Sequence, residues 1–446
     1  MFISLIKGTI LMNELLKDVF GVSKDILKSY VTRSIDGEFR DKLELTDHHI
    51  VILGETKVGK SSLRKKYIPN SKEVIVVDCT KGINLNDIYM QILYKAGIEV
   101  TERISKTVEE SNKVKSDISS NFLEFLKLKI SGELSDKEQF NEQKKPYLPN
   151  TVSVMVSNEL EKTGIKMVVL DDFHYLPLIE QYQLSFDLKM FYQNGIRFII
   201  LGTKITSGYF EKFNGELSHR IDYIDATNWT IEELSEIAIK GSDHLNIRLS
   251  SELIKYFIES SGSIVSVFQG LLFQLCISNN IRETQRSKID LFDIKQAEQI
   301  TYNYWEKMSR NYFNKIRDIA GGGRRRKLQL YYYITKIILQ SDQNVIRIGF
   351  PFQYIYDQLK VAHPLGESIN HGALTTVLNH IDDLQIEKEI FPKVFTYFDK
   401  RLSIVDSDFY FITKHLPRTK IDEILPPHEY VIHLEESEED VQMKLF

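Results

Sequence analysis

Cysteine is nearly absent: Cys79 and Cys276 are the two in 446 residues, too few for a disulfide framework or a cysteine zinc site. That usage fits a reducing compartment, the cytoplasm. Long apolar runs are missing as well, since no stretch approaches the roughly 18 residues that a membrane span needs, so no membrane partner is expected. Neither charge dominates. With 57 Lys+Arg against 62 Asp+Glu, the formal net charge is -5, and any contact with nucleic acid must come from a local patch. What remains is ordinary: 27% charged and 42% hydrophobic residues, in a chain long enough for two or three domains with a large core. The apolar N-terminus superficially looks like a signal peptide, but Lys7 interrupts it and no small-residue cleavage site follows. Residues 1–11 read as an upstream extension, with Met12 as the start.

One motif stands out. Residues 54–62, GETKVGKSS, satisfy G-x-x-x-x-G-K-[ST] at every fixed position, after an apolar strand (49–53) and before a segment that can open a helix. In such a loop the glycines let backbone N–H groups turn inward around a phosphate, a lysine spans two phosphates, and a hydroxyl ligates Mg²⁺. Gly54, Lys57, Gly59, Lys60, Ser61 and Ser62 are therefore candidate nucleotide-binding residues, with Ser61 also a metal ligand. Mg²⁺ needs a second hard oxygen from a neighbouring strand end. Residues 167–174, MVVLDDFH, offer it: Asp171 for the metal and Asp172 to polarise an attacking water. His174 reads either as a phosphate sensor or as a packing histidine. Thr203, after the next strand and before Lys204, is placed to meet the terminal phosphate or its water. Arg220, leading into the last strand, reads either as a stabiliser of the transferred phosphoryl charge, in its own subunit or a neighbour's, or as a surface ion-pair residue.

Short apolar runs at 49–53, 73–78, 167–171, 197–201 and 221–225, separated by helical patterns such as 86–96 and 151–163, predict an α/β fold with a parallel sheet and crossover helices. Between the P-loop strand and the acidic strand the chain carries an additional strand, 73–78, as when a strand is inserted between the two. The predicted organisation has a helical N-terminal segment (1–45), a P-loop ATPase domain (46–228) with a polar insertion at about 101–147, and a wholly helical lid (229–320). A winged helix (321–417), with helices at 327–340, 352–360 and 367–384 and strands at 393–398 and 402–412, precedes an acidic tail (418–446). The third of those helices carries Asn370, His371, Thr375, Thr376, Asn379 and His380 but no Arg or Lys, unlike a DNA-reading helix. The run Arg324–Lys327 reads either as a grip on a phosphate backbone or as a solvated hinge, and Tyr331, Tyr332 and Tyr333 read as packing.

Together these residues resemble the AAA+/STAND superfamily of P-loop ATPases, particularly its origin-recognition-like and NACHT-like branches, over about residues 29–310. The resemblance implies ATP/ADP and Mg²⁺ as cofactors, and places Tyr30 and Arg33, in the segment YVTR, against adenine. Residues 228–234 resemble the start of the helical lid, and 260–266 the second sensor, without its usual arginine. That gap and the short Asp172 imply a slow ATPase or nucleotide switch. The first expectation is thus a switch whose nucleotide state controls homo-oligomerisation or a partner effector protein, in a role that the resemblance suggests is bacterial anti-phage defence. The second is a DNA-binding initiator or transposition ATPase that uses its winged helix. A scaffold kept folded by bound ADP is the third.

Overall fold

Each of the five apolar runs forms a strand in the computed structural model, which describes residues 13–21, 25–99, 151–203, 207–322 and 328–425. The insertion, Lys204, Arg324–Lys327 and most of the acidic tail lie outside those residues, as does the N-terminal extension. Two compact units divide the chain. The first comprises residues 1–302 together with 398–400 and 405–408.

In the first unit, β1 (His49–Leu53), β2 (Val74–Asp78), β3 (Met167–Asp171), β4 (Arg197–Leu201) and β5 (Ile221–Asp225) form one sheet in the order β2-β3-β4-β1-β5, every pairing parallel. β1 is buried along its whole length, which is why its sequence is a continuous apolar run and not an alternation. The strand that stands between β1 and β3 is β4; the 73–78 strand expected from chain order is β2, at the sheet edge. Chain order and spatial order differ because each crossover helix can carry the next strand past its neighbour.

Alternate side chains of β1 feed two cores. Val51 and Leu53 join the one that includes Ile88, Val156 and Leu188, and Ile50 and Ile52 the one with Phe39 and Leu63. The first face is covered by α4 (Leu85–Lys95), α5 (Thr151–Glu161) and α6 (Leu178–Gln193), the second by α2 (Ser34–Leu45) and α3 (Lys60–Tyr67). Residues 12–45 are not one helix: a short α1 (Leu16–Val19) is followed by extended chain at Arg33, which starts α2. After β5 come α7 (Ile231–Leu245), α8 (Ser251–Ser261) and α9 (Val265–Ser278). A capping box starts α7: Glu233 N–H donates to Thr230 Oγ1 at 3.1 Å, and Thr230 N–H to Glu233 Oε2 at 3.0 Å. This stretch is not wholly helical either. β6 (Ile247–Leu249) and β7 (Ile289–Leu291) pair in parallel, three-residue strands too short to show a period.

The second unit comprises 303–397, 401–404 and 409 onward, so the division falls after Tyr302 and not at the 320/321 boundary. It falls inside α10 (Ile294–Ala320), because Trp305, Tyr312, Ile316 and Ile319 are buried there, with Trp305 Nε1 donating to Ile412 O at 3.0 Å. Helices α11 (Leu330–Gln340), α12 (Gln343–Ile348), α13 (Phe352–Ala362), α14 (His371–Asn379) and α15 (Ile381–Glu387) accompany a three-stranded sheet in the order β8-β10-β9. Its strands are β8 (Phe350–Pro351), β9 (Phe395–Phe398) and β10 (Arg401–Ile404). The helix expected at 367–384 is broken at His380, with φ -94° and ψ -2°. The strand expected over 402–412 ends at Ile404, and α16 (Ser407–Lys414) follows. Asp406 makes the turn, its Oδ1 accepting from Asp408 N–H at 3.3 Å.

Candidate functional site

The loop after β1 needs its glycines. Gly54 sits at φ +139°, where an added Cβ would come within 2.9 Å of Val58 Cγ2, and Gly59 at φ +96°. Gly59 is the residue from which α3 starts, so the first amides of that helix open onto the loop. The Lys60 ammonium folds back and donates to Gly54 O at 3.0 Å and to Glu55 O. Burial lowers its pKa to about 8, against the opposing charges of Asp171, Asp172 and Glu55.

The carboxylate of Asp171, the last residue of β3, receives two hydrogen bonds. Ser61 Oγ donates to its Oδ2 at 3.0 Å, and Asp172 N–H to its Oδ1 at 3.0 Å. Asp172 takes a left-handed conformation, φ 55°, and caps the 3₁₀ turn Phe173–Tyr175. Desolvation, and then the charge of Asp171, raise its carboxyl above the ordinary carboxylate range, with Lys60 opposing. A hydroxyl already bonded to a carboxylate is a hard, oxygen-only donor set, which fits Mg²⁺. Thr203, buried just beyond β4, lines the same cavity. P-loop, acidic pair and Thr203 thus share the carboxyl edge of the parallel sheet, where open α/β sheets form their crevices.

That cavity, about 380 Å³, continues from the P-loop to Leu27, Tyr30, Arg33, Trp229, Ile237, Val265, Ser266 and Gln269. Tyr30 donates its hydroxyl to Asp36 Oδ1 at 2.6 Å; burial, then that carboxylate, raise its pKa, so it stays protonated. Arg33 Nη1 donates to the carbonyls of Ala226 at 3.3 Å and Asn228 at 3.4 Å. Its guanidinium lies 4.0 Å from the centre of the Trp229 ring, and Trp229 Nε1 donates to Val58 O at 3.0 Å. Trp229 is the residue that sequence reasoning missed. Its signal was there: one of two tryptophans, directly before the Thr230 capping box. Leu27, Ile237 and Gln269 carry no such signal, because only packing of their elements brings them together.

Two predicted residues, Lys57 and Arg220, are placed differently, and His174 takes its packing alternative. Lys57 lines the cavity, but its ammonium pairs with Asp408. Around it, Thr56 N–H donates to Val405 O at 3.3 Å and Ser407 Oγ to Thr56 O at 2.6 Å, so residues 405–408 brace the P-loop. Arg220 precedes β5, and its carbonyl accepts from His49 N–H at 2.9 Å, where β1 begins. It therefore stands at the opposite edge of the sheet, about 15 Å from the loop across five-residue strands. Its guanidinium donates to Glu216 O and lies 5.8 Å from the Tyr192 ring, which corrects the expectation that it serves its own subunit's nucleotide. His174 is not among the lining residues; its ring packs 4.4 Å from that of Tyr175.

In the second unit, Tyr331 and Tyr332 are core residues. The polar side chains around α14 serve the helix itself: Asn370 Oδ1 accepts from Ala373 N–H at 2.8 Å, and Thr376 Oγ1 donates to Gly372 O at 2.9 Å. His371 packs 4.2 Å from the Tyr356 ring, and His380 faces Asp383 and Glu387, both at 3.6 Å.

Residues 44–208 match the protein family described as "AAA domain". No curated protein matches the chain. Among solved structures it is similar to a Walker-type ATPase of Pyrococcus abyssi, with 16% identity, 89% of this chain and 99% of that one covered, and a TM-score of 0.48. It is also similar to the Orc1 protein of Aeropyrum pernix, solved in complex with DNA (11% identity, 95% and 98% covered, TM-score 0.41). A third likeness is to a STAND protein with a tetratricopeptide repeat sensor from Pyrococcus horikoshii (12% identity, 89% and 44% covered, TM-score 0.34).

Proposed function

We propose that this chain is an AAA+ P-loop ATPase that binds ATP with Mg²⁺ at the cavity of its first unit, hydrolyses it slowly, and uses the nucleotide's state as a switch. One observation carries the reading: a single cavity joins the P-loop and acidic pair to residues of α7 and α9. A nucleotide there would touch both the sheet and the helical segment after it, and a ligand biases a conformation only through such differential contacts. In this reading Gly54, Gly59, Lys60 and Ser62 hold the phosphates, while Ser61 and Asp171 hold Mg²⁺, which draws charge from the phosphate oxygens when bound. Tyr30, Arg33 and Trp229 form the base end. Asp172 orients the attacking water, and Thr203 meets the terminal phosphate. Lys57, committed to Asp408, contributes through the loop's shape.

Slow turnover follows from what surrounds the acids. Asp172 is a short side chain, Arg220 is remote, and Val265 and Ser266 line the cavity in the segment where an arginine would supply positive charge. The switch's output is association with another copy of the chain or with a partner protein.

The test uses the purified chain. Lys60→Ala is expected to lose tight ATP binding, while Asp172→Asn binds ATP within a few-fold of the parent and loses turnover. Undiminished hydrolysis by Asp172→Asn would sink that assignment. Light scattering with ATP and with ADP tests the switch: equal mass and equal partner binding in both states would remove it. Duplex DNA binding at moderate salt without nucleotide-dependent assembly would favour the DNA-binding alternative instead.

A further inference from the structure

We propose that Arg64 is a built-in counter-charge of the metal site, supplying behind Ser61 and Asp171 part of the positive charge that Mg²⁺ brings, so that nucleotide stays bound when the metal is scarce. This rests on the nucleotide-binding reading above and concerns how that site depends on its metal. Arg64 lies in α3, three residues after Ser61 and four after Lys60, spacings that put the three on one side of the helix. From that side Ser61 reaches the Asp171 carboxylate.

The acids give the reason for a cation there. Asp78 and Asp171 are register partners at the ends of β2 and β3, so their side chains leave the same face of the sheet about 5 Å apart. Carboxylates so placed repel, and Asp172 follows directly. The Lys60 ammonium is turned to the carbonyls of Gly54 and Glu55.

Arg64 is 5% exposed, and its Nε is buried without a hydrogen-bond partner among the described residues. A buried donor left so is costly. Burial lowers the Arg64 pKa, and the charges of Asp171 and Asp78 oppose that, so the guanidinium stays protonated in their field. Among the described residues it donates to neither acid, so its hold on them is one of charge. It is not among the residues that line the cavity. Arg64 is therefore a positioning residue, acting on the site through Asp171.

A fixed cation behind Asp171 has two effects of opposite sign. It repels a metal bound at that carboxylate, and it attracts the phosphates that the metal otherwise neutralises. Both shrink the gain in nucleotide affinity that Mg²⁺ brings.

The experiment is calorimetric titration of the full chain with ADP, in Mg²⁺ and in EDTA. It reads how many times weaker ADP binds in EDTA than in Mg²⁺. Damage to the fold weakens both titrations alike and leaves that ratio unchanged. Arg64→Met and Arg64→Gln should each raise the ratio about tenfold, chiefly by weakening ADP in EDTA, whereas Arg64→Lys, which keeps the charge, should stay within about twofold of the parent. An unchanged ratio in either neutral variant that folds overturns this inference and leaves nucleotide binding standing, as does an equal rise in Arg64→Lys. A parent chain that binds no ADP in either buffer overturns both.

Discussion

Removing Lys57 should cost more than neutralising its partner Asp408, because the two ends of this ion pair are unequally buried. The Asp408 side chain is 6% exposed and that of Lys57 is 49% exposed. Lys57→Met leaves a buried carboxylate without its cation, a loss of about 3 kcal/mol. Asp408→Asn leaves an ammonium that water reaches, and costs about 1 kcal/mol. Both act on the loop that residues 405–408 brace, so the assay is native-state hydrogen exchange on peptides covering 54–62, without nucleotide. At 1.4 kcal/mol per tenfold, exchange in Lys57→Met should quicken on the order of a hundredfold and in Asp408→Asn about fivefold. The pH dependence has a definite sign. Burial lowers the Lys57 pKa, but the charge and hydrogen bond of Asp408, with Asp406 behind it, outweigh that and raise it above 10.5. The lysine's part in this protection is therefore fully present at neutral pH and fades as pH climbs from about 10.5 through the raised value. Faster exchange in Asp408→Asn than in Lys57→Met, or no change in either, would refute the reasoning.

Trp229→Phe removes the hydrogen bond to Val58 O and weakens the stack under Arg33, about 1.5 kcal/mol together, so ADP affinity measured by calorimetry should fall about tenfold. His49 is buried, its Nε2 toward Leu188 O and its Nδ1 accepting from Phe198 N–H at 2.9 Å, and burial lowers its pKa to about 4. The unfolded chain, near 6.5, then binds more protons in between, so stability should fall as pH drops from about 6.5 to 4. In urea titrations at several pH values, His49→Asn should flatten that slope by up to one proton.

How much of this was legible depended on the range of the interaction. The five strands were read to within a residue; for the central ones the reason is that a doubly covered parallel strand writes its burial as an unbroken apolar run, as at Ile50–Leu53. The P-loop and Asp171 were legible because their chemistry fixes residue types at fixed spacing. The rest of the cavity lining was half legible: Tyr30 and Arg33 came from resemblance, whereas Leu27, Ile237 and Gln269 meet only through packing. For Arg220, residue type left its own subunit's nucleotide, a neighbour's or a surface contact open, and strand direction removes the first. Arg220 precedes a parallel strand, and strand beginnings lie at the edge away from the site. The alternation over 402–412 read as a strand because nothing local announces that Asp406–Asp408 finds hydrogen-bonding partners 350 residues earlier, at Thr56 and Lys57.

The cavity has a bearing on folding as well as on ligand binding. Its walls come from stretches far apart in the chain: 27–33, 56–62, the acidic pair at 171–172, Thr203 and 229–269. The cysteines, Cys79 and Cys276, are both buried and free, so the chain has no covalent clasp to hold those stretches together. A bound nucleotide would do so reversibly, as a removable cross-link: at a hundred times its dissociation constant it adds about 2.7 kcal/mol to the folded state. Falling nucleotide levels would then loosen the first unit's architecture itself, making the protein's persistence, and not only its activity, a readout of cellular energy.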